Sequence, residues 1–341
     1  MKETLLITGA GGYVGSHLVE QALNKGYNVR ALDNYAFGRD KMDHVIGREG
    51  LTIVNADIRS VGDEVFKGVD FVASLAGFSN DPSAEIDPEL TKTVNFDGCT
   101  RVARKAKENG VKRYIEMSSC SVYGANEGVC DESTSPNPQS LYAKIKSEVE
   151  EHLMGLSDDN FCATALRNST CFGLSSRMRY DLVVNIMTLC AYRDKRLKVF
   201  GSGNQRRPLI HTADAAAVLL HLLDQDTRLV EGEIFNIGNE NTMVVDLSNR
   251  VRKVVEEVLG EEIKIEHIGE SDDVRDYEVS FEKFRNRFGI ITALSVEDAT
   301  REILGMLLKG KALPNLDTYT LQFYQSLIEK HGSSFLSTFS Q

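Results

Sequence analysis

Residues 5–15 read Leu5-Leu6-Ile7-Thr8-Gly9-Ala10-Gly11-Gly12-Tyr13-Val14-Gly15, an apolar run that enters a helix-period segment through glycines. A strand that passes through such a turn into a helix opens a βαβ unit. The helix N-terminus there offers bare N–H groups and the positive end of the dipole. A side chain in the turn would hold a pyrophosphate away from those groups. Gly9, Gly12 and Gly15, with Tyr13 and Val14 between them, are therefore expected to cradle a dinucleotide. Their spacing differs from the G-x-G-x-x-G of long-chain dehydrogenases.

The rest of the first half repeats the alternation. Strands are expected at residues 4–8, 27–32, 51–54, 71–75, 113–117 and 161–166, with helices at 13–25, 91–108 and 141–153. Strands alternating with helices predict parallel pairing through right-handed crossovers. The expected fold is α/β, a Rossmann-type doubly wound parallel sheet with a smaller mixed C-terminal substrate lobe. The second half is mixed: helices near 180–192, from Thr212 and from Asp246, and strands at 197–200 and 233–237. Residues 1–172 are read as the cofactor lobe, with 203–240 returning to it. Residues 173–202 and 241–312 are read as the substrate lobe, and 313–341 as a helical tail.

Asp33 closes the second expected strand, where a carboxylate can take the adenosine ribose hydroxyls; a plain strand-end turn residue is the bland alternative. A carboxylate there repels a 2′-phosphate, and Asn34 brings no compensating cation, so NAD is expected rather than NADP. Asp57 and Ile58, after the third strand, are candidates for the adenine edge.

Tyr142 and Lys146 stand four residues apart on one face of an expected helix. Amphipathic helices produce such pairs with a snorkelling lysine and no chemistry. Here the pair follows the glycine turn, and Ser119 ends an expected strand upstream. A phenol with a pKa near 10 is a poor base at neutral pH. A neighbouring ammonium and a positive nicotinamide ring would favour its phenolate. Tyr142 could then take a proton from a sugar hydroxyl as hydride leaves the same carbon, with Ser119 hydrogen-bonded to the oxygen that becomes a carbonyl.

Composition excludes other classes. A net charge of −11 argues against a nucleic-acid binder. No apolar run approaches the ~20 residues that span a bilayer. The first apolar run meets glycine at once, so no signal peptide is expected. The six cysteines form no Cys-x-x-Cys pair and read as free thiols in a reducing cytoplasm, with no metal site.

Together these motifs resemble an extended short-chain dehydrogenase/reductase of the nucleotide-sugar epimerase/dehydratase group. The resemblance runs from Thr4 to about Phe288. It also takes in Leu75-Ala76-Gly77, Asn95 in Val94-Asn95-Phe96-Asp97-Gly98, Ser118-Ser119-Cys120-Ser121-Val122-Tyr123-Gly124, Gly201 to Arg207, and Asp273-Val274-Arg275-Asp276. It implies bound NAD, with Leu75, Ala76, Gly77 and Asn95 among its contacts, and a nucleotide-diphosphate sugar in the interlobe cleft. It also implies a homodimer through a four-helix bundle built from the 91–108 and 141–153 helices. Arg207 and Arg275 match the arginines that grip the diphosphate, and a guanidinium fork suits that task. Arg177, Arg179 and Asn185 are further candidates; Lys198 and Arg206 are left on the surface.

The residues after Ser119 bear on the reaction. Family members that eliminate water resemble one another in a Thr-Asp-Glu run there. This chain has Ser119-Cys120-Ser121, without a carboxylate. Members that epimerise at C3 and C5 tend to carry a cysteine where Ser121 stands. Cys120, one residue earlier, should point away along a strand, although it and Ser121 remain candidates for the substrate wall. What remains is the trio of a 4-epimerase, or of a 4-dehydrogenase or reductase. A dehydratase using Cys120 and a non-catalytic NAD-binding scaffold stay as lesser alternatives. Ser79 and Asn80 are expected to line the sugar pocket, and Thr170 replaces an asparagine common at the diphosphate.

Overall fold

The structure, a computed structural model, describes residues 2–126, 128–269, 276–290, 292–332 and 335–338. Seven strands form the central sheet: β1 (Thr4–Thr8), β2 (Asn28–Asp33), β3 (Leu51–Asn55), β4 (Phe71–Ser74), β5 (Arg113–Ser119), β6 (Cys162–Asn168) and β7 (Glu233–Ile237). Their order is β7-β6-β5-β4-β1-β2-β3, and every pairing is parallel. The order reverses between β1 and β4. At such a switch point the crossovers leave to opposite faces and open a crevice beyond the strand ends.

Both faces are covered, which is why β1 and β4 read as unbroken apolar runs rather than alternating ones. Leu18, Val19 and Ala22 of helix Gly15–Lys25 pack on one face with Ala215, Leu219 and Leu222 of helix Thr212–Leu223. Val102, Ala103 and Ala106 of helix Cys99–Glu108 pack on the other with Ile145, Val149 and Leu153 of helix Leu141–Leu156. The continuous helix expected over 91–108 is interrupted. Helix Pro88–Lys92 passes into a π-helical turn, Thr93–Gly98, before Cys99–Glu108 begins.

A separate apolar cluster holds the second lobe, where Val184 and Met187 of helix Val183–Asp194 meet Leu247 and Val251 of helix Val244–Leu259. Helix Val296–Leu308 completes this cluster and had no sequence expectation. The small sheets had no expectation beyond the strand at 197–200, observed as Arg196–Phe200. Arg206–His211 joins Glu240–Met243 and Thr170–Phe172, and Lys264–Ile268 joins Arg196–Phe200. Among the described residues no helix is long and apolar enough to cross a membrane, and no group of three His, Cys, Asp or Glu could hold a metal.

Candidate active site

A cavity of about 870 Å³ opens where β1, β2, β4 and β5 end. Its floor is the glycine turn. A Cβ on Gly15 would lie 2.0 Å from the Gly9 carbonyl oxygen, and one on Gly9, at φ +71°, would lie 2.8 Å from the Ala76 nitrogen. Backbone meets backbone here, so no neighbour can give way. Tyr13, Val14, Leu75, Ala76, Gly77 and Ile58 line the same limb. Asp33 faces it from the end of β2, accepting the Gly11 N–H at 2.9 Å and the Tyr35 N–H at 2.8 Å. Burial pushes its carboxyl up, while these backbone donors pull it back. Asn34 lines the limb too, its amide oxygen accepting the Ala36 N–H at 3.1 Å. The side-chain-free cradle and the carboxylate beside it fit a dinucleotide without a 2′-phosphate.

Two cofactor candidates do other work. The Asp57 carboxylate reaches the cavity wall already gripped by Arg59, whose Nε lies 3.0 and 2.9 Å from its two oxygens. Asn95 is off the wall. From the π-helical turn its amide accepts the Phe78 N–H at 2.8 Å and donates to the Phe78 carbonyl at 2.9 Å. It holds the loop after β4, which corrects its reading as a cofactor contact.

Ser119 is the last residue of β5, and its hydroxyl caps the turn Cys120–Tyr123 by accepting the Ser121 N–H at 3.1 Å. Ser140 starts helix Leu141–Leu156, its hydroxyl accepting the Ala143 N–H at 3.2 Å. Tyr142 and Lys146 thus fall on the helix turns that face β5, and with Ser119 they line the cavity. Burial raises the Tyr142 pKa; the Lys146 charge and a hydrogen bond with Ser119 act against it.

Lys146 has a partner that sequence reading missed. Its Nζ donates to Glu116 Oε1 at 3.1 Å and to the Met117 carbonyl at 2.6 Å. Glu116 is 1% exposed, in the body of β5. Burial is the largest single influence and lowers the lysine's pKa, but the Glu116 charge and hydrogen bond, with the Tyr142 and Cys99 side chains, together outweigh it and the net direction is up. The only sequence signal was a carboxylate between Ile115 and Met117 in an expected strand.

Ser79, Asn80, Ser121, Thr170 and Arg207 line the far limb. The Ser121 hydroxyl and the Asn168 amide oxygen, also on this wall, are buried without a protein hydrogen-bond partner among the described residues. Such atoms call for a polar ligand. Arg179 lines the wall, but its guanidinium forks onto Asp181 at 3.0 and 2.8 Å, and Asn80 donates to the same carboxylate at 3.1 Å. Arg177 lies 3.8 Å over the Phe37 ring and donates to Thr320 at 2.9 Å, with burial bringing its pKa down to about 10.

Two further expectations need correction. Cys120 lies off the wall because the strand ends one residue before it. Its thiol donates to the Arg167 carbonyl at 3.1 Å, and burial pushes its pKa up. Asn185 is fully buried, bonded to the Gly173 N–H at 2.9 Å and the Tyr13 hydroxyl at 2.9 Å, so it clamps loops instead of facing a ligand. Lys198 is exposed, as expected, and stands at the cavity rim. Arg206 does lie outside, paired with Glu278 at 3.0 Å. Arg275 lies outside the described residues.

A glycine-cradled groove joined to a Ser-Tyr-Lys centre defines a nucleotide-dependent redox enzyme on a doubly wound sheet. The chain belongs to the NAD dependent epimerase/dehydratase family, whose model matches residues 5–238. It is 28% identical over 303 residues to the UDP-N-acetyl-alpha-D-glucosaminuronate decarboxylase of Bacillus cytotoxicus, a match covering 86% of this chain and 91% of that protein. It is 26% identical over 263 residues to UDP-glucuronic acid decarboxylase 1 of Danio rerio, covering 74% of this chain but only 61% of that relative. In structure it is similar to the UDP-glucuronic acid 4-epimerase of Bacillus cereus in complex with UDP-glucuronic acid and NAD. That match has a TM-score of 0.79 and 21% identity, covering 90% of this chain and 99% of the other.

Proposed function

We propose that the chain is a nucleotide-sugar 4-epimerase working through a transient 4-keto sugar. The observation that carries this reading is the wall after Ser119. Tyr142, Lys146 and Ser119 face the cavity, while Cys120, the residue after Ser119 weighed for elimination chemistry, is turned into the core. Bound NAD supplies a reversible hydride acceptor. Tyr142 takes the 4-hydroxyl proton, its phenolate favoured by the Lys146 charge, and Ser119 hydrogen-bonds the oxygen as it becomes a carbonyl. The ketone then turns within the far limb, receives hydride on its other face, and regains its proton from Tyr142. Arg207 and the orphaned Ser121 and Asn168 atoms are the groups we assign to the nucleotide sugar. The helices Cys99–Glu108 and Leu141–Leu156 are proposed to form a homodimer bundle.

A 4-dehydrogenase or reductase would use the same trio but must exchange its cofactor. A second reading comes from the relatives. A hexuronate oxidised at C4 is a β-keto acid and can lose carbon dioxide, and two relatives bear the names of UDP-uronate decarboxylases. UDP sugars, uronates included, are therefore tested first, followed by GDP, CDP and dTDP forms. Chromatography and mass spectrometry of each after incubation with enzyme and NAD separate the readings. An isomer of unchanged mass supports the epimerase. A product lighter by two hydrogens, by water or by carbon dioxide replaces it with a dehydrogenase, dehydratase or decarboxylase.

A further inference from the structure

The tail beyond residue 313 packs across the mouth of the cofactor limb. On helix Thr320–His331, residues Thr320, Phe323, Tyr324, Leu327 and Ile328 follow the i, i+3, i+4, i+7, i+8 pattern of one apolar face. That face is anchored on both banks of the groove. On the adenosine bank, Phe323 stacks on Phe37 with ring centroids 4.6 Å apart, and Tyr324 meets Phe37 edge-on at 5.3 Å. On the substrate bank, Tyr324 meets Phe78 at 4.8 Å. Polar contacts fix the approach: Lys41 to Asp317 at 2.8 Å, and Arg177 to Thr320 at 2.9 Å. Leu321, Gln322 and Tyr324 line the same cavity as Asp33 and the glycine turn.

We propose that this C-terminal helix is the outer wall of the dinucleotide site, and that it keeps NAD in place through repeated turnovers. The inference rests on reading the groove as an NAD site. A dinucleotide lying from Asp33 toward Tyr142 would pass beneath Tyr324, whose ring bridges the loops on either side. Release would then require Phe323 and Tyr324 to leave their aromatic contacts. A chain built this way suits a reaction that returns its hydride to the same sugar and has no need to exchange cofactor.

The test is the exchange rate of bound NAD in the full chain. Purified protein is loaded with NAD and gel-filtered, its NAD content is measured after denaturation, and exchange is followed against isotopically labelled NAD. The wall predicts that the native chain carries NAD through the column, and that Phe323→Ala exchanges it about tenfold faster or more. Should Phe323→Ala lose its cooperative melt, Leu321→Ala, on the cavity side, carries the same expectation. Free exchange by the native chain would overturn the proposal, as would a native exchange rate in the folded variant. Slow exchange without any sugar isomer would overturn the epimerase reading and leave the wall standing. Fast exchange with isomer formation would do the reverse.

Discussion

The pair Glu116–Lys146 connects the stability of the core to the chemistry of the site, and removing it should show in both. The two side chains are 1% and 8% exposed and 3.1 Å apart. At an effective dielectric near 20, unit charges at that distance attract by about 5 kcal/mol, much of it offset by desolvation. Removing one partner of a buried pair typically costs about 3–5 kcal/mol, whereas replacing both by apolar groups is close to neutral. Glu116→Leu leaves the Lys146 ammonium with the Met117 carbonyl alone. Lys146→Met leaves the Glu116 carboxylate with the Tyr114 hydroxyl at 3.4 Å. Each single variant should lose about 3–5 kcal/mol in urea unfolding, and the double variant far less, for a coupling of roughly 3 kcal/mol or more. The pH dependence has a definite sign. Lys146 is raised above 10.5 in the fold, so its contribution is full below that pH and fades as pH climbs through the higher folded value. In Glu116→Leu the main influence opposing burial is gone, so the lysine's pKa falls and this alkaline loss of stability shrinks. In turnover, Lys146→Met removes the largest influence holding the Tyr142 pKa down, so the rise of kcat/KM moves to higher pH. A cycle additive within about 0.5 kcal/mol would refute the pairing.

Tyr142→Phe should lower kcat by about 10²–10⁴-fold while leaving NAD content after gel filtration unchanged, since only the base is lost. Gly15→Ala should abolish NAD retention and lower the melting temperature, because its Cβ meets the Gly9 carbonyl at 2.0 Å. Gly11→Ala should be milder, because its Cβ meets the movable Tyr35 ring at 3.1 Å. Asp33→Asn should narrow the preference for NAD over NADP in titration. It should also remove an acid-side loss of NAD affinity, which arises as Asp33, raised by burial, takes up a proton earlier than an ordinary carboxylate.

The parallel sheet was legible because β1 and β4 are short, mostly apolar runs, and a crossover leaves little freedom in pairing them. The trio was legible because Tyr142 and Lys146 share a helix face whatever the tertiary context. The rest was hidden wherever a role depends on what arrives from elsewhere. Asn185 reads as a ligand-facing amide until Gly173 and Tyr13 arrive to use it. Arg179 reads as a diphosphate fork until Asp181, two residues on, takes both its prongs. Glu116 could be seen as a charge between Ile115 and Met117, but its partner comes from a helix thirty residues later. The tail's apolar face was present in the spacing of Thr320, Phe323 and Tyr324. Nothing in the chain order says that it crosses the groove to meet Phe37 and Phe78.

The most direct measurement follows a sugar nucleotide deuterated at C4 through one complete reaction. If Tyr142 and Ser119 work on a ketone that never leaves the cavity, the C4 epimer forms with its deuterium fully retained and no free NADH accumulates. A product that has lost the label, or an isomer formed only as NADH is released, would contradict the account.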